Sequence, residues 1–203
     1  VPDLATASDG LPRCGWGVSA PEYVDYHDRE WGFPQLEEVP LFEHLCLEAF
    51  QSGLSWLTIL RKRDAFRRAF SGFRIGEVAS FGEPDVARLL ADAGIVRNRR
   101  KILATIENAR RAEELIAEGG SLASLLWSFR PPPRPAPRSY AEIPSSTQES
   151  AALARELKRR GFVHLGPTTL YALMQACGLV NDHLAGCAIR ERAAAAQAAL
   201  PAY

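Results

Sequence analysis

A mostly α-helical single domain is the expectation for this sequence, and three observations carry it. Apolar residues recur at 3.6-residue spacing along most of the chain, and no alternating run longer than a few residues reads as a strand. The chain is also long enough, at 203 residues with 47% hydrophobic side chains, to bury roughly 70% of the surface its unfolded form exposes. Four cysteines are too few for a disulfide scaffold and fit a reducing compartment better. Lys plus Arg and Asp plus Glu are balanced at 24 each, so any affinity for nucleic acid must come from local clustering and not from net charge. No apolar run approaches the ~20 residues of a membrane helix, and nothing has the order of a signal peptide. A soluble, cytoplasmic protein without membrane contact is expected.

Residues 1–12 read as an N-terminal extension. Leu41, Phe42, Leu45, Cys46, Ala49 and Phe50 form a helical stripe that closes at Ser52-Gly53, and Trp56, Leu57, Ile59, Leu60, Phe66 and Phe70 open another after Ser55. Gly53-Leu54-Ser55 is the turn between them. Pro84 suits the first turn of a helix through Leu89, Leu90 and Ala93, with Gly94 just past its end. The next apolar series is Ile102, Ile106, Ala109 and Leu115. Its arm carries Arg97, Arg99, Arg100, Lys101, Arg110 and Arg111 against Glu107 alone, which is either a solvated helix face or a positive patch. PPPRPAPR at 131–138 reads as an extended, polyproline-like surface connection. Ser146 with Glu149 predicts a capping box for a helix through Leu153 and Leu157 that ends at Lys158-Arg159-Arg160-Gly161. Gly166-Pro167-Thr168-Thr169 then opens a helix through Leu173 and Cys177, and residues 190–203 form an Ala-rich tail.

Chemistry concentrates at the two ends of the chain. Cys14 and His27 near the start, with His183 and Cys187 near the finish, make a Cys2His2 set of the donor types that zinc accepts. His183 and Cys187 share a face if that segment is helical. On spacing alone the set reads either as buried core residues or as a structural site with no position open for water. Cys46 and Cys177 sit on apolar stripes as small core residues, and His44 and His164 have no evident partner. Trp16, Tyr23, Tyr26, Trp31 and Trp56 crowd the region around the first ligand pair. Such a cluster is either core or a stacking pocket for a flat heterocycle. Glu48 interrupts the apolar series Leu45, Cys46, Leu47, Ala49, where a carboxylate is costly to bury unless it meets a partner or a ligand. The start of the helix at Gly166 offers free backbone N–H groups to an anion.

Taken in order, Cys14-Gly15-Trp16, Tyr26-His27-Asp28, Glu30-Trp31-Gly32, Leu41-Phe42-Glu43, Cys46-Leu47-Glu48, Gln51-Ser52-Gly53-Leu54-Ser55-Trp56, Asp92-Ala93-Gly94-Ile95 and Met174 through His183 closely resemble the DNA 3-methyladenine glycosylase I family of bacteria. The resemblance runs from about residue 13 to 187. It implies a helix-hairpin-helix glycosylase fold in one domain, 13–189, with the hairpin at about 161–177 and a structural zinc from Cys14, His27, His183 and Cys187 joining the chain ends. It also implies that Glu48 is the catalytic carboxylate and, with Tyr26 and Tyr23, reads an extruded base between the aromatic walls of Trp56 and Trp16. Gly166, Thr168 and Thr169 would face DNA phosphate, and Gly53 and Leu54 would enter the gap left by the flipped nucleotide. Asp182 would orient a zinc ligand or its loop.

The implied partners are alkylated duplex DNA and free 3-methyladenine as product, the implied cofactor is one Zn2+, and the implied state is a monomer. No lysine is placed for a lyase step. The alternative is a zinc-stapled module that binds damaged or bent DNA without cleaving it. The family pattern leads to a polar side chain at position 50, where this chain has Phe50.

Overall fold

The computed structural model describes residues 1–200, so the last three residues of the expected tail, 201–203, lie outside the described residues. The described residues hold ten α-helices and one two-stranded antiparallel sheet. The sheet pairs β1 (Leu4–Thr6) with β2 (Pro12–Cys14), in register Leu4 with Cys14. A hairpin of two three-residue strands is too short to show alternation, which is why the sequence pattern did not reveal it. The expected boundary between residues 12 and 13 falls inside β2.

A 3-10 turn at Gly15–Val18 leads into α1 (Pro21–Arg29), which starts on Pro21. The long stripe becomes α2 (Glu38–Gln51), and the next α3 (Trp56–Ala69), whose Ser55 hydroxyl accepts the N–H of Thr58 as an N-cap. A second 3-10 turn at Ser71–Phe73 and the short α4 (Ile75–Ala79), neither of them visible in the periodicity, precede α5 (Glu83–Ala91). α5 stops earlier than expected, leaving Ala93 and Gly94 in a turn that the Asp92 carboxylate holds by accepting the Gly94 N–H. α6 (Arg99–Ala117) is the longest helix, and α4 and α5 pack against it.

α7 (Leu122–Trp127) is followed by the extended residues 131–137 and a 3-10 turn at Tyr140–Glu142. The proline-rich stretch is no free connection. Arg134 bonds to Asp182 and to the Tyr171 hydroxyl, tying the stretch to the C-terminal part of the chain. α8 (Gln148–Arg159) is capped one residue later than expected: Thr147 and Ser150 form the reciprocal box in place of Ser146 and Glu149. The β-hydroxyl of Ser150 reaches back from the third position as well as Glu149 would, and Ser150 is fully buried there. Gly161, at φ +86°, turns the chain out of α8, and α9 (Pro167–Ala176) packs back against it. α10 (Arg190–Ala198) forms from the Ala-rich stretch.

The main core gathers α2 to α9. Phe42, Phe50, Phe66, Phe70 and Phe73 are fully buried in it, with Trp127 and Tyr171 nearly so. Cys46 and Cys177 are small buried core residues, as expected. Phe50 meets Phe66 in a tilted contact at 4.7 Å and Phe70 edge-on at 5.8 Å between ring centroids. It therefore faces the core, where an apolar side chain is what the packing asks for.

α6 acts as a spine for two loops. Lys101, buried near its start, donates to the carbonyls of Phe50 and Ser52 at the end of α2. One helical stretch further, buried Asn108 accepts the Val163 N–H and donates to the Val163 carbonyl, clamping the α8–α9 loop. The basic arm is accordingly neither a bare patch nor a plain solvated face. Arg99 pairs with Glu83, and Arg111 with Glu107 and Glu114. Arg110 donates to the carbonyls of Ala79 and Phe81. Arg97 and Arg100 stay exposed and form no ion pair with a described residue.

Candidate functional site

Tyr23, Tyr26, Trp31, Glu48, Trp56 and Trp16 come together around one cleft of about 260 Å³, completed by Gln51, Ala172 and Gln175. Four helices, a 3-10 turn and Trp31 just beyond α1 build it, with α9 giving Ala172 and Gln175. α1 places Tyr23 and Tyr26 one turn apart on one face, the 3-10 turn sets Trp16 against them, and the last turn of α2 supplies Glu48 and Gln51. Trp56 is the first residue of α3, so the Ser55 cap fixes it. Trp16 meets Tyr23 edge-on at 5.4 Å and Trp31 at 5.0 Å, while Tyr26 tilts over Trp56 at 5.4 Å. Offset and edge arrangements such as these leave ring faces available to a flat ligand.

Glu48 is the group without a partner. It is 5% exposed, and its carboxylate makes no hydrogen bond or ion pair with a described residue. Burial pushes its pKa up to about 8, as expected for a carboxylate in an apolar surround with no donor. Tyr26 beside it is raised well above its ordinary value, first by burial and then by the Glu48 charge. The indole Nε1 of Trp56 is likewise buried without a partner. Behind this cleft lies, by contrast, a network of paired charges, in which His44 Nδ1 alone lacks a hydrogen-bond partner among the described residues. Glu30 bonds to His44 and Arg63, and Arg63 and Arg67 both hold buried Glu43. Although burial opposes it, bonding from His44 and Arg63 holds the Glu30 carboxyl down to about 2. His44, which had no evident partner in the sequence, thus belongs to this network.

A few ångströms of aromatic side chain separate the cleft from the four expected metal ligands. The donor atoms of Cys14, His27, His183 and Cys187 all lie within 4.8 Å of one another, and all four residues are buried. His183 Nδ1 is 3.2 Å from His27 Nε2, and Cys187 Sγ is 3.6 Å from each of those nitrogens. A tetrahedral ion ~2.3 Å from sulfur and ~2.0 Å from nitrogen has N–N and N–S edges of about 3.3 and 3.5 Å, close to these three separations, while Cys14 Sγ stands wider at 3.9 Å from His183 Nδ1, so the set could hold a metal ion with Cys14 closing inward.

The other nitrogen of each imidazole is also fixed: His27 Nδ1 by Asp28 at 2.8 Å and His183 Nε2 by the Trp31 carbonyl at 3.0 Å. Arg13 in turn clamps Asp28. Bonding from Cys14 and the two imidazoles holds the Cys187 thiol well below its usual pKa. Gly17 is required here, since a Cβ on it would lie 2.6 Å from the His27 ring.

One expectation about this cluster is corrected, and of the two alternatives for Asp182 the loop is the one that agrees. His183 and Cys187 do not share a helix face, because residues 181–189 form turns with Gly186 at φ +89°, and α10 begins only at Arg190. Asp182 does not touch a ligand side chain; it takes up the Tyr171 hydroxyl, the Gln175 amide and Arg134, and so holds its own loop. Asp28 is the carboxylate that orients a ligand.

The remaining expected residues flank the cleft. Gly53, at φ +82°, and Leu54, 41% exposed, form the tip of the α2–α3 turn between Gln51 and Trp56. Leu54 is therefore no core residue. Gly166 caps α9 with no side chain over it, and Pro167 and Thr168 are exposed with Thr169 half-buried at the opposite end of α9 from Gln175. A larger depression of about 940 Å³ lies between α5, α6 and the α8–α9 loop. It holds none of the expected site residues and no buried unpaired carboxylate, so the smaller aromatic cleft is the functional candidate.

A sequence profile of the methyladenine glycosylase family matches residues 16–191. The chain belongs to that family. It is 47% identical over 179 residues to DNA-3-methyladenine glycosylase 1 of Escherichia coli K12, covering 87% of this chain and 96% of that enzyme. A crystal structure of 3-methyladenine DNA glycosylase I superposes with a TM-score of 0.84 at 47% identity, covering 87% and 98% of the two chains. The Staphylococcus aureus structure that describes 3-methyladenine recognition superposes at 0.83 with 33% identity, covering 88% and 96%. The whole glycosylase-like span thus includes the cleft, the α2–α3 turn and the α8–α9 unit. Among the described residues no helix is long and apolar enough to cross a membrane.

Within this methyladenine glycosylase framework, the residues that sequence reasoning missed are those that support others. Gln51, Ala172 and Gln175 line the cleft, Asp28 steadies the His27 imidazole, and Lys101 and Asn108 anchor the two flanking loops. Apart from Asp28, which neighbours His27 in α1, none has a local signal, because each acts across more than one element.

Proposed function

We propose that this chain is a monofunctional DNA N-glycosylase that extrudes 3-methyladenine from alkylated duplex DNA and hydrolyses its glycosidic bond, leaving an abasic site. The observation that carries this reading is Glu48, a buried carboxylate without a partner in an aromatic cleft sized for one purine. A carboxylate kept in such a place costs stability and gains its partner only when a cation enters. Adenine methylated at N3 is such a cation, and its damage also weakens its stacking and its bond to the sugar, so extrusion costs less than for an intact base.

In the proposed mechanism Trp16, Tyr23, Tyr26 and Trp56 enclose the flipped base, each stacked face contributing about 1–3 kcal/mol. Glu48 accepts hydrogen from the adenine edge while its charge complements the ring. The bond from C1′ to N9 breaks with its electron pair moving onto the base, which leaves neutral, and water adds at C1′ and gives up a proton. Leu54, presented by the αL conformation of Gly53, fills the space the nucleotide vacates. The amides at the start of α9, at Thr168 and Thr169 beside Gly166, take a phosphate in the manner of a helix-hairpin-helix unit.

Cys14, His27, His183 and Cys187 would hold one Zn2+ with no open position, so the ion would staple residues 14–27 to 183–187 and take no part in the chemistry. Residues 13–189 are the functional domain in this reading. In this reading the chain acts as a monomer on DNA in the cytoplasm. The test is incubation with methylated duplex DNA followed by chromatography. Free 3-methyladenine and an uncleaved abasic strand are expected; retention of the DNA without base release would instead establish a non-catalytic binding module.

A further inference from the structure

Gln175 lines the cleft from α9, one turn beyond Ala172, and its side-chain amide is not free to choose its orientation. Its Nε2 lies 2.9 Å from Asp182 Oδ2. Asp182 is fully buried, and the same carboxylate receives the Tyr171 hydroxyl on Oδ2 and the Arg134 guanidinium on Oδ1. A carboxylate already surrounded by donors can only accept from the amide, so the NH2 end of Gln175 must face Asp182. The carbonyl Oε1 is then the end left over, and it accepts no hydrogen bond from a described residue.

From this geometry we infer that Gln175 is a specificity-determining residue of the cleft: its Oε1 accepts a hydrogen of the exocyclic 6-amino group of the bound base, with the Arg134–Asp182 pair setting that polarity. The inference rests on the reading of the cleft as a purine site. Two acceptors, Glu48 and Gln175, would then meet a purine that carries an amino group at position 6. A 6-oxo purine presents an acceptor there instead, leaving Gln175 Oε1 unpaired against another lone pair, which is the arrangement that gives the sharpest discrimination in buried sites. Arg134 sits in the proline-rich stretch, so that stretch has a use: it delivers the cation that completes the surround of Asp182.

The experiment measures binding of free 3-methyladenine and 3-methylhypoxanthine to the intact protein and to Gln175→Leu, together with thermal unfolding. The wild type is expected to prefer the 6-amino base. The variant should bind 3-methyladenine about 10-fold more weakly while its affinity for the 6-oxo base holds or rises, so that the preference collapses. An unchanged preference in a folded variant overturns the inference and leaves the glycosylase reading standing. Failure of the wild type to bind 3-methyladenine at all overturns both. Should the leucine variant not fold, Gln175→Met supplies the same loss of acceptor with a more adaptable side chain, and failure of both to fold would show that Gln175 serves stability, which also overturns the inference.

Discussion

At the scale of single residues, Glu48 sets a conflict between stability and function. The folded protein keeps this carboxyl protonated up to about pH 8, against 4.5 for the ordinary group, so between those values the folded state binds more protons than the unfolded one. Stability due to this site therefore falls as pH rises through that window, by on the order of 3 kcal/mol at pH 7. Glu48→Gln is expected to melt at a higher temperature than the wild type, with a gap that is small near pH 4.5 and widens toward pH 8, as differential scanning calorimetry across pH would show. The same variant should lose base excision by two or more orders of magnitude. In the wild type, kcat/KM should climb with pH toward 8 as free Glu48 ionises. The sequence made this residue visible because a carboxylate on an apolar stripe is a local contradiction. Gln175 is no such contradiction, and only its pairing with Asp182, seven residues on in a turn, gives it meaning.

Among the elements, the α2–α3 turn is the one whose conformation is most strongly imposed. Ser55 caps α3, Gly53 takes the left-handed conformation, and Lys101 reaches from α6 to hold the last carbonyls of α2. Leu54 is thereby presented outward on a rigid base. Replacing it by alanine should change stability by no more than about 0.5 kcal/mol, as at other exposed positions. Leu54→Ala should nonetheless slow excision from duplex DNA at least 10-fold while binding free 3-methyladenine as the wild type does. A matched loss of both activities in kinetic and calorimetric assays would count against the wedge. Ser55 and Gly53 announced this turn because caps and left-handed glycines act locally. The cap of α8 at Thr147 was misplaced by one residue, since neighbouring hydroxyl residues satisfy the same local rule and burial of Ser150 decides between them.

For the whole molecule, the four-ligand cluster joins segments more than 150 residues apart, and both the β1–β2 hairpin and the loop before α10 close around it. Pro12 accepts the Ala188 N–H, and Asp3 accepts those of Gly15 and Tyr140. The ligand types and their order were legible in the sequence; the shape that holds them was not, because turns and a three-residue ladder leave no periodic trace. An ion bound at a thousand times its dissociation constant adds ~4 kcal/mol to stability, or roughly 10 °C for a chain of this size. If the cluster holds the proposed ion, a chelator, or Cys14→Ala, should lower the melting temperature by about that much. Base release per folded molecule should stay near the wild-type value, and a loss of turnover without loss of stability would show instead that the ion acts in chemistry.

The same closure bears on how the protein is made. A nascent chain carries Cys14 and His27 from the first moments of synthesis, yet has nothing to pair them with until His183 and Cys187 emerge at the far end. The helices of the main core can collapse in the meantime, since their contacts lie between the two ligand pairs. During synthesis the cluster can therefore close only after residue 187 has emerged, and a chain released before residue 183 carries half of the ligand set. An ion bound there would distinguish chains that carry both ligand pairs from fragments that carry one.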